Sequence, residues 1–337
     1  MADKVVAVLG ATGVVGTQML QCLEERSFPV KRLVPLASAR SQGRSVVFGG
    51  EELPVREARP ETFDGVDIVL GAAGDAQARE LLPEAARRGA VCVDNSHAFR
   101  LDEDVPLVIP EINAEDIQDH PRGLISNPNC ATTIGLVPTW PLHRVAGLRR
   151  MIVSTYQAAS GAGVGGLKEL ERESACIMRG EGITETAPFA YQLAFNLIPQ
   201  IGGFADNDYT SEELKMQNEG RKIMHLPELR FNCTCVRVPI MRSHSESITC
   251  EFDRPITPDE AREILSAAPG VKLVDDPAQL RYPMPLDASD QDLVLVGRIR
   301  RDLSAPDGAN ALTFFCCGDQ IRKGAATNAV QIAEHLV

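Results

Sequence analysis

Over roughly the first 95 residues, short apolar runs alternate with longer amphipathic stretches. Lys4–Leu9 reads as a buried strand, and Gly13–Glu25 as a helix with apolar Val14, Val15, Met19, Leu20 and Leu23. Arg32–Ala37 is a second strand, with Pro35 weakening its far half. Asp67–Leu70 and Ala90–Val93 are further short runs around a helical stretch, Ala76–Arg88. Leu124-Ile125 is another apolar run and precedes a helix over Ala131–Leu142. This β-α-β rhythm predicts a parallel, doubly wound sheet with ligands at the carboxyl ends of its strands.

After about residue 146 the pattern changes. Arg150–Ala158 reads as a strand, followed by a glycine-rich turn at 160–166 and a helix from Leu167. Thr210 opens another helix, with Glu213 completing a capping box. Strands follow at Arg230–Ile240, Ser247–Phe252, Leu293–Arg301 and Ala311–Cys317, which predicts a mixed or antiparallel sheet. The open face of such a sheet commonly seats on a partner subunit. Arg322–Leu336 is helical and is expected to return to the first domain. The expected division is 1–130, completed by 319–337, and 131–318.

Composition narrows the class. A chain of 337 residues supports two domains, each with its own core. A net charge of −12 without a basic patch argues against nucleic acid. Met1-Ala2-Asp3-Lys4 runs straight into the first strand, which does not read as a secretory signal. No apolar run reaches the ~18 residues of a membrane span. Nine scattered cysteines, an odd number, suggest free thiols in a reducing compartment, hence a cytoplasmic protein.

Candidate chemistry sits on this frame. Gly10, Gly13 and Gly16 form GxxGxxG between the first strand and first helix, where backbone N–H groups attract a pyrophosphate. The spacing is a variant of GxGxxG. The second strand lacks the terminal acid that holds the ribose of NAD; Ser38, Arg40 and Ser41 offer hydroxyls and a guanidinium suited to the 2′-phosphate of NADP. Cys130, in Ser126-Asn127-Pro128-Asn129-Cys130, stands at a strand-to-helix junction where a thiolate is stabilised. The other eight cysteines read as small buried hydrophobes, and Cys233-x-Cys235 and Cys316-Cys317 lack metal-ligand spacing, so no metal is expected. Among the histidines, His97, His120, His143, His225 and His335 have no obvious partner, whereas His244 lies just beyond a strand end.

Together these segments resemble the aspartate-β-semialdehyde dehydrogenases. The matching pieces are GATGVVG (10–16), SARS (38–41), NSHAFR (95–100), SNPNCATT (126–133), TYQAASGAG (155–163), EELKMQNEGRKI (212–223), RVPIMRSHS (237–245) and GDQIRKGAATNAVQIAE (318–334), in the family's order. The resemblance implies a Rossmann-like NADP-binding domain and an α+β catalytic and dimerisation domain with a mixed sheet. It implies Cys130 as nucleophile, His244 as acid/base, and Asn129 and Gln157 placing the substrate and the developing oxyanion. Arg237 would take the substrate carboxylate, Glu212 its ammonium group, and Arg100 and Lys215 the inorganic phosphate. Thr12, Gly13, Val14, Val15, Arg40, Ser41, Ser160, Gly161 and Gln320 would contact NADP. The implied activity interconverts β-aspartyl phosphate and aspartate-β-semialdehyde through a Cys130 thioester, in a homodimer serving lysine (diaminopimelate), threonine and methionine biosynthesis. Glu212 and Lys215, three apart on a helix, face one way, although from spacing alone a solvated helix pair is the favoured reading. Other readings are an N-acetyl-γ-glutamyl-phosphate reductase, a glyceraldehyde-3-phosphate dehydrogenase, a cysteine hydrolase and a non-catalytic NADP-binding paralogue.

Overall fold

The computed structural model describes residues 3–41, 43–306 and 310–337, so the Met1-Ala2 start of the N-terminal reading lies outside it. The chain divides into two compact units, Met1–Asn129 with Gly324–Val337, and Cys130–Lys323.

The first unit runs β1 (Lys4–Leu9), α1 (Val14–Glu25), β2 (Val30–Ala37), β3 (Ser45–Phe48), β4 (Glu51–Pro54), β5 (Arg56–Glu57), β6 (Ile68–Gly71), α2 (Asp75–Arg87), β7 (Val91–Asp94), α3 (Pro110–Asn113) and β8 (Leu124–Ser126). Six strands form a parallel sheet in the order β5-β2-β1-β6-β7-β8, while β3 and β4 make a separate hairpin. Helices bury regular stripes against it: Ala78, Leu81, Leu82 and Ala85 of α2 recur at helical spacing. Pro35 does not weaken its strand. The Leu36 carbonyl accepts from Gly10 and Ala11 of the β1 side, so the polar groups of Pro35 face outward, where β5 pairs only with Leu36 and Ala37.

The second unit runs α4 (Cys130–Ala146), β9 (Leu148–Gln157), α5 (Gly163–Met178), α6 (Ser211–Ile223), β10 (Arg230–Arg237), β11 (His244–Phe252), α7 (Pro258–Ser266), β12 (Val271–Leu273), α8 (Pro285–Ala288), β13 (Val294–Arg301) and β14 (Ala311–Gly318). Its six-stranded sheet, ordered β10-β9-β11-β14-β13-β12, is mixed. Alternation separates the faces. Met151, Val153, Thr155 and Gln157 of β9 are buried, whereas Ile152, Ser154 and Tyr156 on the other side are partly open. Helix α4 is buried on nearly every side, the mark of a central helix. The capping box at Thr210 is formed, with Glu213 accepting from the Thr210 N–H.

The chain then turns through a π-type stretch (Arg322–Ala326) into α9 (Thr327–Glu334), whose Ala329, Val330, Ile332 and Ala333 join the core of the first unit beside Met19 and Leu23 of α1. Arg26 and Glu334 lock these helices with two 2.7 Å hydrogen bonds. Among the described residues no helix is long and apolar enough to cross a membrane.

Candidate active site

At the carboxyl end of β1, Gly10 has φ +87°, and a Cβ there would lie 2.6 Å from the Ala72 carbonyl oxygen. Gly16 is equally constrained, since its Cβ would collide with the Gly10 carbonyl. Gly13 caps α1, so Val14, Val15 and Gly16 contribute the N–H groups of an uncovered helix start. Gly10, Thr12, Gly13, Ser38, Arg40 and Ser41 line a cleft of about 420 Å³, where the Thr12 and Ser41 hydroxyls meet at 3.2 Å. A backbone cradle beside a guanidinium and three hydroxyls fits the phosphates of a dinucleotide. Sequence reasoning missed Glu57, which β5 brings into this cleft, ion-paired to Arg59 at 2.5 Å.

Elsewhere in the first unit Arg100 is buried, its Nε donating to the Asn127 carbonyl at 2.9 Å and its Nη2 to the Asn95 carbonyl at 2.7 Å. Asn127 donates to Asn95 Oδ1 at 2.8 Å and accepts from Asn328 Nδ2 at 2.7 Å, so a chain of amides holds the arginine. Asn129, also buried, closes this unit.

The second unit gathers most of the remaining candidates at one end of its sheet. Register pairs Arg237 with Gln157 and Ser245 with Tyr156, which sets His244 level with Gln157. Gln157 Nε2 donates to Glu212 Oε1 at 3.1 Å and lies 3.4 Å from His244 Nε2; its Oε1 accepts from Thr155. Lys215 reaches Glu212 at 3.4 Å, so this pair is not merely solvated: Glu212 is buried. Arg237 donates to the Ala158 carbonyl at 2.7 Å. Burial pulls its guanidinium down, while negative charge on Glu212 and on a Cys130 thiolate pushes it up. Cys130 itself is the first residue of α4 and half-buried, whereas burial drives the thiols of Cys92, Cys250, Cys316 and Cys317 upward. Gln320 donates to Ser160 and accepts from the Ser243 N–H at 2.7 Å, tying the Ser160-Gly161 turn to the residue before His244.

His244 is fully buried, and burial together with Arg237 holds its imidazole well below the usual range, hence neutral. The Ala158 N–H donates to Nδ1 at 3.0 Å, so the neutral ring carries its proton on Nε2. Ser243 supports it from a left-handed conformation, φ +73°. This set can present a thiol, an N–H donor, a carboxylate and cations to one small polar molecule.

Comparison with known proteins then gives the family. Residues 5–120 match the pattern described as "Semialdehyde dehydrogenase, NAD binding domain", and residues 140–323 match "Semialdehyde dehydrogenase, dimerisation domain". The aspartate-semialdehyde dehydrogenase of Bacillus subtilis is 50% identical, covering 98% of this chain and 96% of the relative. The chain belongs to the aspartate-semialdehyde dehydrogenase family. The crystal structure of aspartate semialdehyde dehydrogenase II from Vibrio cholerae superposes with TM-score 0.96 at 42% identity, over 99% of this chain and 98% of that one. The same protein complexed with ASA gives TM-score 0.95 at 41% identity, over 100% and 98%.

Within this family fold, several contributors escaped the sequence. Ala158 acts through its backbone, which no side-chain pattern betrays. Glu246, one alternation down from His244, is fully buried with neither carboxyl oxygen hydrogen-bonded in the structure, and burial holds its pKa well above the usual range. Strand alternation was the available signal: a glutamate on the buried face of β11.

Proposed function

We propose that the protein is an NADP-dependent, phosphorylating aldehyde dehydrogenase acting on aspartate-β-semialdehyde through a thioester on Cys130. The observation that carries this is the arrangement of Cys130, at a helix N-terminus, in one unit with neutral His244, buried Arg237 and the Glu212–Lys215 pair. In the oxidative direction the Cys130 thiolate adds to the aldehyde carbon, and the new oxyanion takes a hydrogen bond from His244 Nε2–H and from Gln157 and Asn129. Arg237 holds the α-carboxylate and Glu212 the ammonium group. The nicotinamide, when bound, supplies or accepts the hydride. Loss of hydride leaves an acyl thioester on Cys130; phosphate held by Arg100 and Lys215 adds to that carbonyl and expels the thiolate as β-aspartyl phosphate forms. In reverse, β-aspartyl phosphate and NADPH give the semialdehyde, NADP⁺ and phosphate, with His244 as the acid/base group at the carbonyl oxygen.

For the dinucleotide, Thr12, Gly13, Val14, Val15 and the Gly10 and Gly16 turn take the pyrophosphate, Ser38, Arg40 and Ser41 take the 2′-phosphate, and Ser160, Gly161 and Gln320 are further contacts. We place the enzyme in the cytoplasm as a homodimer, in lysine, threonine and methionine biosynthesis. The test is NADPH formation from aspartate-β-semialdehyde with and without phosphate. Turnover should require phosphate, prefer NADP over NAD, and vanish in Cys130→Ala; phosphate-independent turnover, or an active Cys130→Ala protein, would defeat the scheme.

A further inference from the structure

We propose that Phe189 is a positioning residue for Arg237 and thereby sets how firmly the site grips the α-carboxylate of its substrate. The inference rests on Arg237 being the carboxylate site.

The guanidinium carbon of Arg237 lies 6.0 Å from the centre of the Phe189 ring, and Nη1 is tied to the Ala158 carbonyl at 2.7 Å. An arginine short of water gains from an aromatic face more than an exposed one does. Arg237 is such a group, because burial already disfavours its charge. Two glycines make the arrangement possible: a Cβ on Gly161, in the turn before α5, would lie 2.7 Å from Arg237 Nη1, and one on Gly166, in the first turn of α5, would lie 3.1 Å from Phe189 Cζ. The arginine and the ring also line one cavity of about 330 Å³, with Ala162, Ile198 and Gly202 among its other walls.

Phe189 is held in place rather than draped there. Its N–H donates to the Thr186 carbonyl at 2.8 Å, and the Thr186 hydroxyl donates to the Phe189 carbonyl at 3.2 Å. On the upstream side Arg172 of α5 donates to the Glu185 carbonyl. On the downstream side fully buried Glu173, also on α5, accepts from the Leu193 and Ala194 N–H groups, both at 2.8 Å. The segment is therefore clamped to α5 on both sides of the ring, which packs on Leu170, Leu193 and Ile198.

The test compares wild type, Phe189→Leu and Phe189→Tyr on aspartate-β-semialdehyde and on 3-aminopropanal, the same aldehyde without its carboxylate. Phe189→Leu should raise KM for the carboxylated aldehyde roughly 3- to 30-fold with kcat nearly unchanged, and leave kcat/KM for 3-aminopropanal within about twofold. Phe189→Tyr, which keeps an aromatic face, should behave as wild type. Equal losses on both aldehydes, or no loss on either, would overturn the proposal. Should Phe189→Leu melt before assay, Phe189→Met, which fills the space without a π face, carries the same expectation. If the wild type itself fails to favour the carboxylated aldehyde, the Arg237 assignment falls, and this proposal with it.

Discussion

At the residue scale, a single backbone donor decides how His244 works. With Nδ1 accepting from Ala158 and its pKa depressed by burial, the neutral ring carries its proton on Nε2, the donor that the proposed scheme directs at the oxyanion. His244→Asn should therefore bind NADP almost as wild type while kcat falls about 10²- to 10⁴-fold, measured by nucleotide titration and steady-state kinetics. Burial also gives His244 and Glu246 opposite effects on stability. The depressed histidine contributes fully above its ordinary value of 6.5, and its contribution is lost as the pH falls from there. The elevated carboxyl contributes fully below its ordinary value of 4.5, and its contribution is lost as the pH rises toward its native value. Glu246→Gln removes only the second effect. Its stability should gain on wild type by about 1.4 kcal/mol per pH unit within that window, read from denaturant melts between about pH 5 and pH 7; a gap that stays constant would mean Glu246 is ionised. Cys130 was singled out by its place before a helix, and His244 chiefly by the resemblance, because both would act through side chains. Ala158 and Glu246 were not, because a backbone role leaves no signature and the strand read from Ser247 left Glu246 outside it, whereas β11 begins at His244.

At the element scale, hydrophobic periodicity located the long helices and strands but not their ends. The helix expected from Leu167 starts at Gly163, and the strand expected over Arg230–Ile240 stops at Arg237, where the side chain is drawn toward the Ala158 carbonyl. The hairpin β3–β4, with its open and half-open residues, and the three-residue β12 carry too little apolar pattern to be read in advance. Turn chemistry was more informative than length. The glycine run after β1 is required by contact with Ala72 and Gly10, so Gly16→Ala should force that turn apart. We expect a loss of about 1–3 kcal/mol in stability and a weaker NADP complex, by thermal melting and fluorescence titration; an unchanged melt and affinity would show that the turn has slack.

At the scale of the whole molecule, the chain is two units whose sheets solve different problems. The parallel sheet is covered on both faces and ends in a nucleotide-sized cleft, while the mixed sheet packs Ala288 of α8 against Leu295 and Cys317 on its second face and ends in the row of Gln157, Arg237 and His244. That second face also bears Ser247 and Phe315 beside Met284, Arg298 and Arg300 around a groove of about 450 Å³, within the span that matches a dimerisation domain. Among the described residues no cysteine forms a disulfide, and Cys130 stands at a helix start in one unit with Arg237, Glu212 and His244. The most direct measurement is mass spectrometry of enzyme mixed with aspartate-β-semialdehyde and NADP in the absence of phosphate. An aspartyl acyl group on the peptide containing Cys130, discharged when phosphate is added, is the predicted result; NADPH formation with that sulfur never acylated would contradict it.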